Sequence, residues 1–158
     1  MTRTTLRTVD RFAHSHAQYA PTLLRLGLGA VFLAHAYAKL TIFTLPGTRA
    51  FFEAHGFPGW SAYPVFALEL IGGVSLLLGL YSRVAALALI PVMLGALVPH
   101  LANGWMFTNS GGGWEYVAFL LIALFTQLLL GDGAFALSHG RAAEKGTNWE
   151  SPSVRAAS

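Results

Sequence analysis

Cysteine is absent from this 158-residue chain. That excludes disulfides, thiolate metal sites and thiol redox chemistry of the chain's own. Any redox role then needs a bound cofactor, a quinone or a partner protein. Charge is also scarce: 11% of the residues are Asp, Glu, Lys or Arg, against about 25% in a soluble domain. So little charge cannot wet a water-facing surface. No glycine-rich nucleotide fingerprint, P-loop, zinc motif or serine-nucleophile elbow occurs. The GLG at 27–29 lies inside an apolar run and follows no strand, so it reads as helix packing. The net charge of +3 is no nucleic-acid signal, because most Lys and Arg lie in the tails and short connections.

What the chain does have is apolar sequence, 54% of residues, with a mean hydropathy of +0.55. Four runs approach the roughly 17–25 residues that cross a bilayer: about 21–40, 64–80, 84–101 and 114–130. Pro21 opens the first, where a missing N–H costs little. The short YSR links the second to the third, NGWMFTNSGGG breaks the third from the fourth, and GDG at 131–133 ends the fourth. The expected fold is all-α, an integral-membrane four-helix bundle with antiparallel up-down topology over 21–137. It is flanked by a basic tail over 1–20 and a polar tail over 138–158. A rival reading treats the first run as a secretory signal peptide with an Ala-x-Ala site at Ala34, Ala36 and Ala38. His35 and Lys39 fall where cleavage signals want small neutral residues, so a retained helix fits better.

An even number of spans puts both termini on one side. Arg3, Arg7, Arg11, Arg83, Arg141, Lys145 and Arg155 share that side, whereas the other holds Lys39 and Arg49. The positive-inside rule therefore places both termini in the cytoplasm. Two longer loops, about 41–63 and 102–113, then face outward, with Trp60, Trp105 and Trp114 as an interfacial aromatic belt. Ala30, Ala34 and Ala38 on the first helix, and Gly72, Gly73 and Gly79 on the second, are candidates for close helix contact.

Ionisable groups inside membrane helices cost roughly 2.5–3.5 kcal/mol each at a helix centre, so they mark sites or partners. On the first helix Arg25, His35 and Lys39 fall within an arc of about 80°. Following each helix in its direction puts His35, Lys39, Glu69, His100 and Glu115 in one outer layer. Two readings of that layer stay open. It is a structural network, with Glu69 neutralising Lys39, Glu115 capping its own helix and His100 bonded to a loop carbonyl. Or it is a ligand site. His35 and Glu69 would then move protons, and Lys39 would stabilise a developing phenolate. His100 and Glu115 would help bind, and Tyr37, Trp105, Trp114 and Phe66 would flank a flat ring. Such a pocket suits a quinone. His35 and His100 could instead be axial haem ligands, but Lys39 and Glu69 would crowd that centre. No metal site is expected. At the inner end, Arg25 is expected to bond Asp132 or Gln127 and tie the first helix to the last.

These residues carry a likeness to a known family. LLRLGLGAVFLAHAYAKL, FFEAHGFPGW, ALELIGGVSLLLGLYSR, WEYVAFLL and LLLGDGAFAL occur in order across about 21–137. The chain resembles the DoxX family of small bacterial four-helix membrane proteins. Its pattern runs R-x-x-x-G, H-G-x-x-K, E-x-x-G-G, then a final E and G-x-G. Ala36 replaces the glycine usual after His35. The likeness falls on Arg25, His35, Lys39, Glu69 and Glu115. It implies a multi-pass protein of the bacterial plasma (inner) membrane, for which the charge bias puts both termini inside. It also implies a link to oxidoreductases, including a membrane subunit of thiosulfate:quinone oxidoreduction and proteins of oxidative-stress defence. Other relatives resemble non-enzymatic partners in membrane complexes, and distant ones chaperones or cargo receptors. The expected partners are the lipid bilayer, a soluble or membrane redox protein, or a second copy of the chain. The leading function is a membrane subunit that binds quinone, or a similar small aromatic redox molecule, near the outer leaflet. The alternative is an anchor, assembly factor or scaffold for a redox partner.

Overall fold

The computed structural model describes residues 15–138. The terminal clusters Arg3, Arg7, Arg11 and Arg141, Lys145, Arg155 lie outside the described residues. Among the described residues the chain is all-helical, with no strand. Helix α1 is Tyr19–Thr41, α2 is Leu45–Ala54, α3 is Ala62–Leu78, α4 is Ser82–Leu101 and α5 is Glu115–Leu130. Three stretches are long and apolar enough to cross a membrane: Tyr19–Thr41, Gly59–Leu78 and Ser82–Leu101. The fourth apolar helix, α5, has 16 residues.

α1 packs chiefly on α3 and α4 on α5, while α3–α4 and α1–α5 contacts close the bundle. Buried Leu28, Phe32, Leu76, Leu89 and Leu124 form its centre. The outside is apolar as well: Leu23, Ile71, Phe119 and Leu129 are all exposed, Leu129 by 79%. In lipid such a surface needs no cover, and the helices are held by close packing rather than by hydrophobic drive. The closest seam joins α1 to α3. A Cβ on Gly29 would stand 2.9 Å from the Gly73 carbonyl, and one on Gly73 would stand 2.9 Å from Leu33. Gly72 likewise makes room for Leu89 of α4. The alanines expected at the seam turn elsewhere: Ala30 and Ala34 are exposed. They follow Gly29 by one and five residues, about 100° and 140° round the helix.

α2 is an element that hydropathy alone does not reveal. It lies inside what reads as a loop over 41–63. Thr44 caps it, its Oγ1 accepting the Gly47 N–H at 3.2 Å, and a proline sits in its first turn, where the ring costs nothing. Gly56, at φ +82°, turns the chain back, and a short 3₁₀ turn at Gly59–Ser61 leads into α3.

Candidate functional site

Both ends of the bundle hold polar side chains, but in different ways. At the end where the described chain begins and stops, the polar side chains bond mostly to backbone. Arg25 is buried, 2% exposed. Its Nη1 donates to the Leu76 and Leu77 carbonyls at 3.0 and 2.6 Å. Its Nε donates to the Asp132 carbonyl at 3.0 Å, and its Nη2 to the Ala134 and Phe135 carbonyls at 3.3 Å each. The guanidinium thus closes the C-terminus of α3, where unpaired carbonyls and the helix dipole favour a cation. It also holds the segment after α5.

The structure brings Arg25 to Asp132, but through the main chain. The Asp132 carboxylate does other work: Oδ1 accepts the Ser82 N–H at 2.7 Å at the start of α4, and Oδ2 accepts from Ser138 at 2.6 Å. Gln127 is buried, and its Nε2 donates to the Gly131 carbonyl at 2.5 Å. Its Oε1 has no partner, and no bond joins it to Arg25. The glycines of GDG are needed here. Gly133 has φ +68°, and a Cβ there would stand 2.8 Å from the Thr22 backbone. Thr22 in turn donates to the Ala134 carbonyl at 2.7 Å.

The other end is open. A cavity of about 740 Å³ lies between the C-terminal halves of α1 and α4 and the N-terminal halves of α3 and α5. That is within the 300–1,000 Å³ typical of small-molecule sites. His35, Lys39, Glu69 and His100 all line it. Lys39 Nζ sits 2.8 Å from both oxygens of Glu69, joining α1 to α3. The pair is largely buried, with side-chain exposures of 16% and 5%. Satisfaction is incomplete, because an ammonium has three donors and a carboxylate about four acceptor sites. One Lys39 N–H and spare Glu69 lone pairs remain for a ligand. His35, one turn before Lys39, makes no hydrogen bond among the described residues.

His100 is held more firmly. Its Nδ1 lies 2.9 Å from the Gly112 carbonyl, and Asn103 Nδ2 fixes that same carbonyl at 3.0 Å. The loop behind them is tightly folded: a Cβ on Gly113 would overlap the carbonyls of Gly104, Trp105 and Met106.

Aromatic and apolar side chains complete the wall. Phe43, Phe51, Phe52 and Phe57 come from α2 and its flanks, Tyr116 and Leu120 from α5, and Pro91, Met93 and Pro99 from α4. The α2 contribution is absent from a reading based on hydropathy. Its signal is the Thr-x-Pro opening of a short helix with adjacent phenylalanines in FFEAHGF.

Several expected contributors sit elsewhere. Tyr37 is 63% exposed and does not line the cavity, since two residues on from His35 is about 200° round the helix. Trp105 and Trp114 pack edge to face on one another, with centroids 4.5 Å apart. They brace the 102–114 loop and are not among the lining residues. Phe66 is not among them either. Glu115 Oε1 accepts the Phe107 N–H at 3.0 Å, which ties this loop to the start of α5. Among the described residues no cluster of His, Asp and Glu is suited to a metal ion.

Comparison with known proteins agrees with the motif pattern. The model of the DoxX family matches residues 20–111. A Bacillus subtilis (strain 168) protein named "Putative oxidoreductase CatD" is 36% identical over 115 residues, covering 73% of this chain and 81% of that protein. No solved structure matches. The match spans the cavity's histidines, its ion pair and the α2 helix, and on this ground the chain belongs to the DoxX family.

Proposed function

We propose that this protein is a four-span subunit of a membrane redox system that binds quinone, or a similar small aromatic redox molecule, in the cavity between α1, α3, α4 and α5. The observation that carries the reading is the meeting of four ionisable groups from three helices in one apolar, phenylalanine-walled space. A flat ring would lie against Phe51, Phe52 and Phe57. Lys39 would orient a ring oxygen with its spare N–H, and His35 and Glu69 would take up or release protons there. The name of the Bacillus relative supports a redox setting. The excess of Lys and Arg on the termini side supports a cytoplasmic position for both ends, which puts the cavity toward the outer leaflet of the plasma membrane.

The full-length protein, purified in detergent, should bind a short-chain naphthoquinone saturably. Glu69→Gln should remove that binding while far-UV circular dichroism stays helical. Absence of saturable binding to the folded wild type would overturn the proposal. The self-paired Lys39 and Glu69 favour one second reading, a non-catalytic anchor for a redox partner. That reading gains if Glu69→Gln unfolds the bundle and the wild type binds no quinone.

A further inference from the structure

Within that reading, which this step rests on, one cavity residue has a fixed hydrogen-bonding character. It is His100. Its Nδ1 faces the Gly112 carbonyl at 2.9 Å, and a carbonyl oxygen can only accept. Nδ1 must therefore carry the proton. In a neutral imidazole the other nitrogen is then a bare acceptor. The tautomer cannot easily exchange, because swapping the proton to Nε2 would set two lone pairs against each other at Nδ1 and the carbonyl. The carbonyl itself cannot turn away. Asn103 Nδ2 holds it at 3.0 Å and holds the neighbouring Gly111 carbonyl at 3.1 Å, and Asn109 in turn donates to the Asn103 carbonyl at 2.8 Å.

Nε2 has no hydrogen-bond partner among the described residues. It is also not among the fully buried unsatisfied atoms, and His100 is one of the residues that line the cavity. The cavity therefore presents a fixed acceptor at the α4 side and a spare donor, the third N–H of Lys39, at the α1 side.

We infer that the cavity selects a hydroxylated aromatic ring over the corresponding carbonyl or ether, with the ligand O–H donated to Nε2 of His100. A quinone carbonyl brought to this nitrogen would meet acceptor with acceptor. A phenol or hydroquinone hydroxyl would complete the bond. The reduced form is then the one held at the His100 side, and oxidation of the ring weakens its hold.

The test compares 1-naphthol with 1-methoxynaphthalene, which differ by the hydroxyl proton and one methyl group, on the full-length protein in detergent micelles at pH 7.5. Equilibrium dialysis measures binding, with empty micelles subtracted. A net hydrogen bond predicts that 1-naphthol binds about fivefold or more tightly to the wild type. In His100→Phe the two ligands should bind within about twofold of each other, since that variant keeps the ring and loses the acceptor. Equal affinities for the wild type, or a preference that survives in folded His100→Phe, would overturn the inference and leave the aromatic-site reading standing. Saturable binding of neither ligand would bring down both. Should His100→Phe fail to fold, ¹⁵N-histidine spectra of the wild type decide. An unprotonated ring nitrogen must move upfield on adding 1-naphthol and stay put with the ether; no movement with 1-naphthol overturns the inference.

Discussion

The Lys39–Glu69 pair separates architecture from chemistry, because its two roles respond differently to substitution. Nζ lies 2.8 Å from each carboxylate oxygen, and both side chains are mostly out of solvent. Glu69→Gln keeps the shape and removes the negative charge, leaving an ammonium with neutral partners. Breaking a buried pair from one side costs about 3–5 kcal/mol. Lys39 reaches the cavity and regains some solvation, so about 2–4 kcal/mol is the expected loss. Removing both charges is another matter. Lys39→Met with Glu69→Leu takes away the desolvation penalty along with the attraction, and should stand within about 1 kcal/mol of the wild type or above it. Reversible unfolding by sodium dodecyl sulfate in mixed micelles, followed by far-UV circular dichroism, measures all three proteins. Quinone binding is measured on the same samples. The expected outcome is a weakened Glu69→Gln protein and a stable double variant that has lost its ligand. A double variant as unstable as Glu69→Gln would refute the reasoning, since the pair would then be a net source of stability. A stable double variant that still binds would show that the pair is not part of the site.

Other substitutions probe the frame around it. Arg25→Lys can keep at most three of the five backbone bonds and should lower unfolding stability by about 2–4 kcal/mol. Gly79→Ala forces a side chain into a left-handed residue at φ +65°, with Cβ 2.7 Å from Ala136. It should cost more than the roughly 1–2 kcal/mol of that conformation alone, read as a lower thermal midpoint. Gly27→Ala is its opposite. Nothing lies within 4 Å of the added Cβ, so the midpoint should rise, by about 0.5–1 kcal/mol in stability. Asp132→Ala removes the acceptor for the Ser82 N–H and should cost about 1 kcal/mol, with faster amide exchange over the first turn of α4.

How much of this was readable from residues alone varies by scale. The long helices are legible because a bilayer demands long apolar runs, and their observed ends fall within two residues of those runs. The level of a side chain is legible as well. Direction and rise per residue are enough to put His35, Lys39, Glu69 and His100 at one depth, and the cavity lies there. Which way each side chain points is harder. Helical phase settles it inside α1, where Tyr37 must oppose His35. It fails for Glu115, which sits at the first residue of α5, because a helix end answers to its loop. Glu115 serves the Phe107 N–H, and only the folded loop shows that.

The hardest feature to foresee is α2, and it changes what the site can be. Without it, the ionisable layer would be a polar patch at the mouth of a helix bundle, open to headgroups and water. Its sequence is too short and too mixed to register as a span, and its ten residues could hardly hold a helix in isolation. What fixes it is the local Thr44 cap together with tertiary contacts: Thr48 is buried, and Phe51 and Phe52 line the cavity. Those phenylalanines turn a patch into a partly walled, largely apolar space. There a bond to His100 Nε2 or to Lys39 carries more weight than it would in water. Selectivity at this site therefore depends on a segment that carries none of its ionisable groups.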